Sequence, residues 1–79
     1  MLNKRVEEAL NSQLVIESNS SHYYLAIASW AETKGLDGTS EFFYEQSDEE
    51  RMHMLRLIKF INERGGKAII PQVDLPPKD

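Results

Sequence analysis

The chain has 79 residues, 41% hydrophobic and 28% charged, with a formal net charge of −4. That profile fits one small folded domain and excludes a disordered or fibrous chain. No apolar run long enough to span a bilayer occurs, and no basic patch interleaved with aromatics is present, so neither membrane nor nucleic acid is an expected partner. Cysteine is absent. A secreted domain this small is usually stapled by disulfides, so a reducing cytoplasm is the expected compartment. A chain this short buries a modest core and commonly needs a metal, a crosslink or a partner.

Residues from about 3 to 34 contain no Gly or Pro and carry helical periodicity. "KGLDGTS" (34–40) follows, with two glycines, and with Asp37, Thr39 and Ser40 as candidate caps, so a turn is expected over 35–40. Residues 41–64 are again free of breakers, and "RGG" (64–66) supplies a basic end and a glycine stop. An extended tail is expected over 65–79, its last thirteen residues the proline-broken "KAIIPQVDLPPKD" (67–79). The predicted architecture is all-α: one antiparallel helical hairpin forming a single unit over 1–79. At 1.5 Å per residue the helices are on the order of 35 to 45 Å long, the size of bundle helices.

Two stripes carry the functional information. In the first helix Leu10, Leu14, Glu17, Ser21, Tyr24, Ala28 and Ala31 alternate at spacings of four and three. In the second, Phe43, Gln46, Glu50, His53, Leu57 and Phe60 do the same. Such stripes are the seams of helices packed side by side. Both are apolar or small at their ends and polar in their middles. A hairpin pivoting near Gly35 sets Glu17 level with His53 and within a few ångström of Glu50, by the helical rise. Glu50 and His53, three apart, share a face.

A carboxylate buried without a partner is costly, and a divalent cation supplies the missing charge. Carboxylates with a single imidazole and no thiolate suit iron, manganese or zinc. Di-iron carboxylate bundles take one Glu from each of two helices and Glu-x-x-His from each of two others. Glu17 and Glu50-x-x-His53 are half of that set. The plainer readings stay open: a buried polar device that sets helix register, or a solvated face with pairs such as Glu49 and His53. His22 lies off the seam and reads as surface. Met54 and Trp30 read as packing residues, Trp30 at a subunit contact.

These residues resemble the first two helices of the bacterial non-haem ferritins. "LNSQLVIESNSSHYYLAIASW" (10–30) is similar to that family's first helix, with Glu17, Tyr24 and Trp30 in the expected places. "FFYEQSDEERMHMLRLIKFINERGG" (42–66) is similar to the second, with Glu49 and Glu50 ahead of His53. "IIPQVDLPPKD" looks like the start of the crossover to a third helix. The resemblance implies a ferritin-like four-helix bundle of which this chain is half, a hollow multi-subunit cage, iron storage, and oxidation of Fe(II) to Fe(III) at a di-iron centre by dioxygen or peroxide. It implies that Glu17 is a terminal ligand of the first iron, His53 its nitrogen ligand and Glu50 the bridge. Glu49 would help hold a third, weaker iron, and Tyr24 would lie beside the centre, hydrogen-bonding a ligand and able to give an electron.

Haem-containing relatives carry a ligating Met directly after the bridging Glu. Here Arg51 stands there and Met52 follows, rotated by about 100° on the helix, so no haem is expected. The third and fourth helices of the family are absent from these 79 residues. Three arrangements would complete the site: a longer subunit of which this is a piece, a separate chain carrying the complementary C-terminal half, or a homo-oligomer in which two copies pair. Two other functions compete with ferroxidase activity: a metal-free helical interaction or dimerisation module, and a metal-binding half-bundle without turnover.

Overall fold

The computed structural model describes residues 2–73, 75 and 76; residues 74 and 77–79 of the expected tail lie outside the described residues. Among the described residues two helices account for the regular structure, α1 (Lys4–Thr33) and α2 (Asp37–Glu63). They pack antiparallel as the expected all-α hairpin. α1 opens on Asn3, whose side chain accepts from the Val6 N–H at 2.9 Å, satisfying one of the free donors of the first turn.

Both helices close in the same way. Gly35 N–H donates to the Glu32 carbonyl and Leu36 N–H to the Ala31 carbonyl, at 3.1 and 3.0 Å. At the end of α2, Gly65 N–H donates to Asn62 O and Gly66 N–H to Ile61 O, at 3.3 and 3.0 Å. These are Schellman closures, which need a residue at positive φ; Gly35 (72°) and Gly65 (84°) supply it.

The connection is shorter than the sequence suggests. Asp37, Thr39 and Ser40, expected in a turn over 35–40, all lie in the first turn and a half of α2. Leu36 occupies the N-cap position with no side-chain hydrogen bond. The reason is local: once Leu36 has closed α1, its own carbonyl accepts from Ser40 N–H at 2.9 Å, so the new helix starts at once. Asp37 then sits where the helix dipole favours an anion.

The seam also differs from expectation on α2. Leu14, Ala28, Ala31 and Ile61 are fully buried, and Ser18, Ser40 and Ser47 are the buried polar residues. The stripe against α1 therefore runs Ser40, Ser47, Met54, Ile61, one residue every two turns, with Met54 half-buried. The expected stripe of Phe43, Gln46, Glu50, His53, Leu57 and Phe60 lies along one flank instead, with His53 and Phe60 exposed. Small residues make this possible. Ser21 Oγ donates to Ser47 O at 2.8 Å, Ser47 Oγ donates to Ser21 O at 2.7 Å, and the two hydroxyls stand 3.1 Å apart. Nearer the turn, Ser40 Oγ donates to Ala28 O at 2.9 Å. Interaxial distance follows the side chains at the contact, and here only hydroxymethyl and methyl groups intervene.

The tail is tied down by side chains. Glu7 Oε2 accepts from Lys67 N–H at 3.2 Å, and Asn62 Oδ1 from Ala68 N–H at 2.9 Å. Asn11 donates to Lys67 O at 3.1 Å and accepts from Ile69 N–H at 2.8 Å. Farther on, Val73 faces Ser18, His22, Leu25 and Met54 across a shallow groove, on the flank opposite the polar stripe. His22 is half-buried there rather than at the surface. At the other end of the hairpin Tyr44 donates to Glu32 Oε1 at 2.6 Å. Among the described residues no helix is long and apolar enough to cross a membrane.

Two glycines separate the backbone terms. Gly35→Ala forces a left-handed alanine and is expected to destabilise by about 1–2 kcal/mol. Gly38, inside α2 with open space around it, is expected to gain roughly 0.5–1 kcal/mol on substitution by Ala. Urea denaturation followed by circular dichroism reads both.

Candidate metal centre

The serine exchange determines which residues meet. With Ser21 opposite Ser47 and Ala28 opposite Ser40, Glu17 falls level with the turn between Glu50 and His53. Each helix carries its share on the same flank of the seam, because Glu17 precedes buried Ser18 and Glu50 and His53 follow buried Ser47 by three and six positions.

His53 stands between the two carboxylates. Its Nδ1 lies 3.4 Å from Glu17 Oε1 and 3.3 Å from Glu50 Oε1. One ligand atom from each of the three residues lies within 4.8 Å of the others. The burial is graded: the Glu17 side chain is 14% exposed, that of Glu50 24% and that of His53 45%. The described ion pairs of both carboxylates run to this one imidazole. Two carboxylates against at most one positive charge leave negative charge uncompensated in a half-buried position, which a divalent cation would neutralise. Two oxygens and a nitrogen, with open positions toward solvent, suit a first-row divalent ion.

Glu17 and His53 open onto a shallow apolar groove walled by Leu57 and Phe60 on α2. The Arg64 guanidinium lies 4.5 Å above the Phe60 ring, a cation–π contact at the end of this groove. Gln13 and Arg56 also line it, and sequence reasoning passed over both. Their signal was available: Gln13 is four residues before Glu17 and Arg56 three after His53, spacings that share a helix face.

The remaining expected site residues are not brought together with the trio. Tyr24 is seven residues beyond Glu17, about 10 Å along the helix. It is half-buried, its ring 5.7 Å from Phe43 and 6.5 Å from Tyr23. Among the described residues its hydroxyl has no hydrogen bond to Glu17, Glu50 or His53. Glu49 is exposed and accepts from Gln46 Nε2 at 3.4 Å, because one residue of helix turns it away from Glu50. Arg51 lines the opposite flank with Val73.

Residues 7–79 match the family model of the ferritin-like domain. The chain belongs to the ferritin family. It is 37% identical over all 79 residues to a bacterial non-haem ferritin of Staphylococcus aureus, covering 48% of that protein. It is 36% identical over 76 residues to a probable bacterial non-haem ferritin-like protein of Haemophilus influenzae, covering 96% of this chain and 46% of the relative. Among solved structures, a Chlorobium tepidum ferritin superposes with a TM-score of 0.90 at 41% identity, over 96% of this chain and 47% of that one. An open-pore ferritin from the archaeon Archaeoglobus fulgidus superposes with a TM-score of 0.93 at 35% identity, over 100% of this chain and 49% of the other. This ferritin chain thus spans about half the length of the relatives it matches.

Titration with Mn(II) tests the placement of the carboxylates. Glu17→Ala and His53→Ala are expected to weaken the first equivalent by at least about 10-fold, the scale on which even outer-shell partners matter. Glu49→Ala is expected to leave it nearly unchanged. Isothermal titration calorimetry distinguishes the two.

Proposed function

We propose that this chain binds Fe(II) through Glu17, Glu50 and His53 and supplies half of a ferroxidase centre for iron storage. The observation that carries the reading is the convergence of three ligand side chains, from two helices, within 4.8 Å. Glu17 and His53 serve as the terminal oxygen and nitrogen ligands of one iron. Glu50, with one oxygen beside His53, bridges to a second iron whose other ligands come from a second pair of helices.

Iron is the substrate here. Each of two Fe(II) gives one electron, and the pair reduces dioxygen to peroxide or peroxide to water, leaving two Fe(III) for storage. What the chain contributes is position and charge: two carboxylates that favour the more highly charged product, and an open side for the oxidant. Tyr24, two turns along α1 from Glu17 with its ring against Phe43, is a tyrosine able to pass an electron. Glu49, at the surface, suits an outer and weaker ion. A second reading, metal binding without turnover, draws on the 45% exposure of His53, which leaves this half-site open.

The test is anaerobic addition of Fe(II), then admission of oxygen, with ferric absorbance as the signal. Glu50→Ala is expected to slow its appearance at least about 10-fold. Fe(II) binding without accelerated oxidation would support the second reading. An inert protein, unchanged by the substitution, would leave only a helical interaction module.

A further inference from the structure

We infer that Tyr44 and Glu32 form a one-electron redox site, in which Tyr44 gives up an electron while its phenolic proton passes to the Glu32 carboxylate. The site uses no residue of the trio, so it stands or falls separately from the iron-binding reading above.

The tight connection between the helices brings the pair together. Glu32 lies in the last turn of α1, and Tyr44 ends the second turn of α2. Across that connection the Tyr44 hydroxyl donates to Glu32 Oε1 at 2.6 Å. Hydrogen bonds from O–H to a charged oxygen fall at about 2.5–2.7 Å and are roughly twice as strong as neutral ones. Among the described residues, Tyr44 is the one tyrosine whose hydroxyl donates to a carboxylate. The bond to Glu32 raises the phenol above its ordinary range of ionisation, helped by desolvation and by the Glu32 charge, so Tyr44 carries its proton at neutral pH.

That geometry settles how the ring can be oxidised. Removing an electron from a neutral phenol leaves a strongly acidic radical cation. A base already within hydrogen-bond reach takes the proton as the electron leaves. The oxidant is a strong one-electron acceptor, such as the hydroxyl radical formed from Fe(II) and peroxide, which leaves as hydroxide. Tyr44 becomes a neutral tyrosyl radical, its O–H bond breaks, and Glu32 Oε1 gains the proton. A one-electron reductant such as Fe(II) reverses the step: it becomes Fe(III), and the proton returns from Glu32 to the tyrosine oxygen. Tyr44 stands six residues before Glu50, about 9 Å along α2, so it lies near the trio without being a ligand there.

A clasp that merely holds the two helix ends needs only an acceptor oxygen, which glutamine also offers. A redox pair needs a base, which glutamine is not. The experiment therefore oxidises the purified protein, without iron, with photogenerated ruthenium(III) tris-bipyridine and follows the radical by transient absorbance and electron paramagnetic resonance. The radical is expected on Tyr44, to vanish in Tyr44→Phe and to persist in Tyr23→Phe and Tyr24→Phe. Glu32→Gln is expected to slow its formation roughly 100-fold, the lower end of what a positioned base contributes, with helix content unchanged by circular dichroism. Should Glu32→Gln fail to fold, the unmodified protein decides: oxidation of Tyr44 is expected to slow in deuterium oxide, because the proton moves with the electron. A radical formed on Tyr23 or Tyr24 instead, an unchanged rate in folded Glu32→Gln, or a rate indifferent to deuterium overturns the inference. Each of those results leaves the iron reading untouched, since no metal site is probed.

Discussion

The exchange of hydroxyls between Ser21 and Ser47 is the contact on which the arrangement depends. Each donates to the other's carbonyl, so the two helix backbones meet at one defined height. A slide by one residue along either helix would break both bonds and leave two hydroxyls without these partners in a half-buried seam, at a cost of about 1–3 kcal/mol for each group left unsatisfied. Register between the helices is therefore set by polar geometry. Apolar packing, which is non-directional, could not specify it so narrowly. The level of Glu17 relative to Glu50 and His53 follows directly from it.

The same contact explains why the flank is occupied as it is. Seating serines in the seam brings the helices close and rotates the larger side chains outward. On one side these are Glu17, Glu50, His53, Leu57 and Phe60; on the other the tail settles over Ser18 and Met54. Among the described residues four apolar ones, Leu14, Ala28, Ala31 and Ile61, are fully buried, while Phe42, Met52, Leu55 and Phe60 are all exposed. A core of four among the described residues is small for a chain of 79.

Much of this was legible in the sequence. Breaker-free runs marked both helices, Gly35 marked the pivot, and equal distance from that pivot put Glu17, Glu50 and His53 at one height. What stayed hidden has a common cause. Hydrophobic periodicity selected Phe43, Leu57 and Phe60 as the seam of α2, whereas Ser40 and Ser47 form it through hydrogen bonds that no hydropathy pattern registers. The docked tail was missed for the same reason: Asn11 and Asn62 hold it by their amide side chains, and an asparagine in a helix gives no sign of its distant partner. Glu49 and Tyr24 were placed by resemblance, and neither touches the trio because one residue of rotation and two turns of rise intervene. The chain's match to ferritins over nearly its full length explains why the resemblance nevertheless served well for the fold.

A seam closed by hydroxyl and carbonyl groups also has a thermal signature. Exposing apolar surface raises the heat capacity on unfolding, while exposing polar surface lowers it. With serines at its centre, the hairpin contributes weakly to that quantity, and its own stability varies gently with temperature. Most of the curvature in the melting behaviour of any complete bundle would then originate at the flank that carries Leu57 and Phe60, not between the two helices themselves.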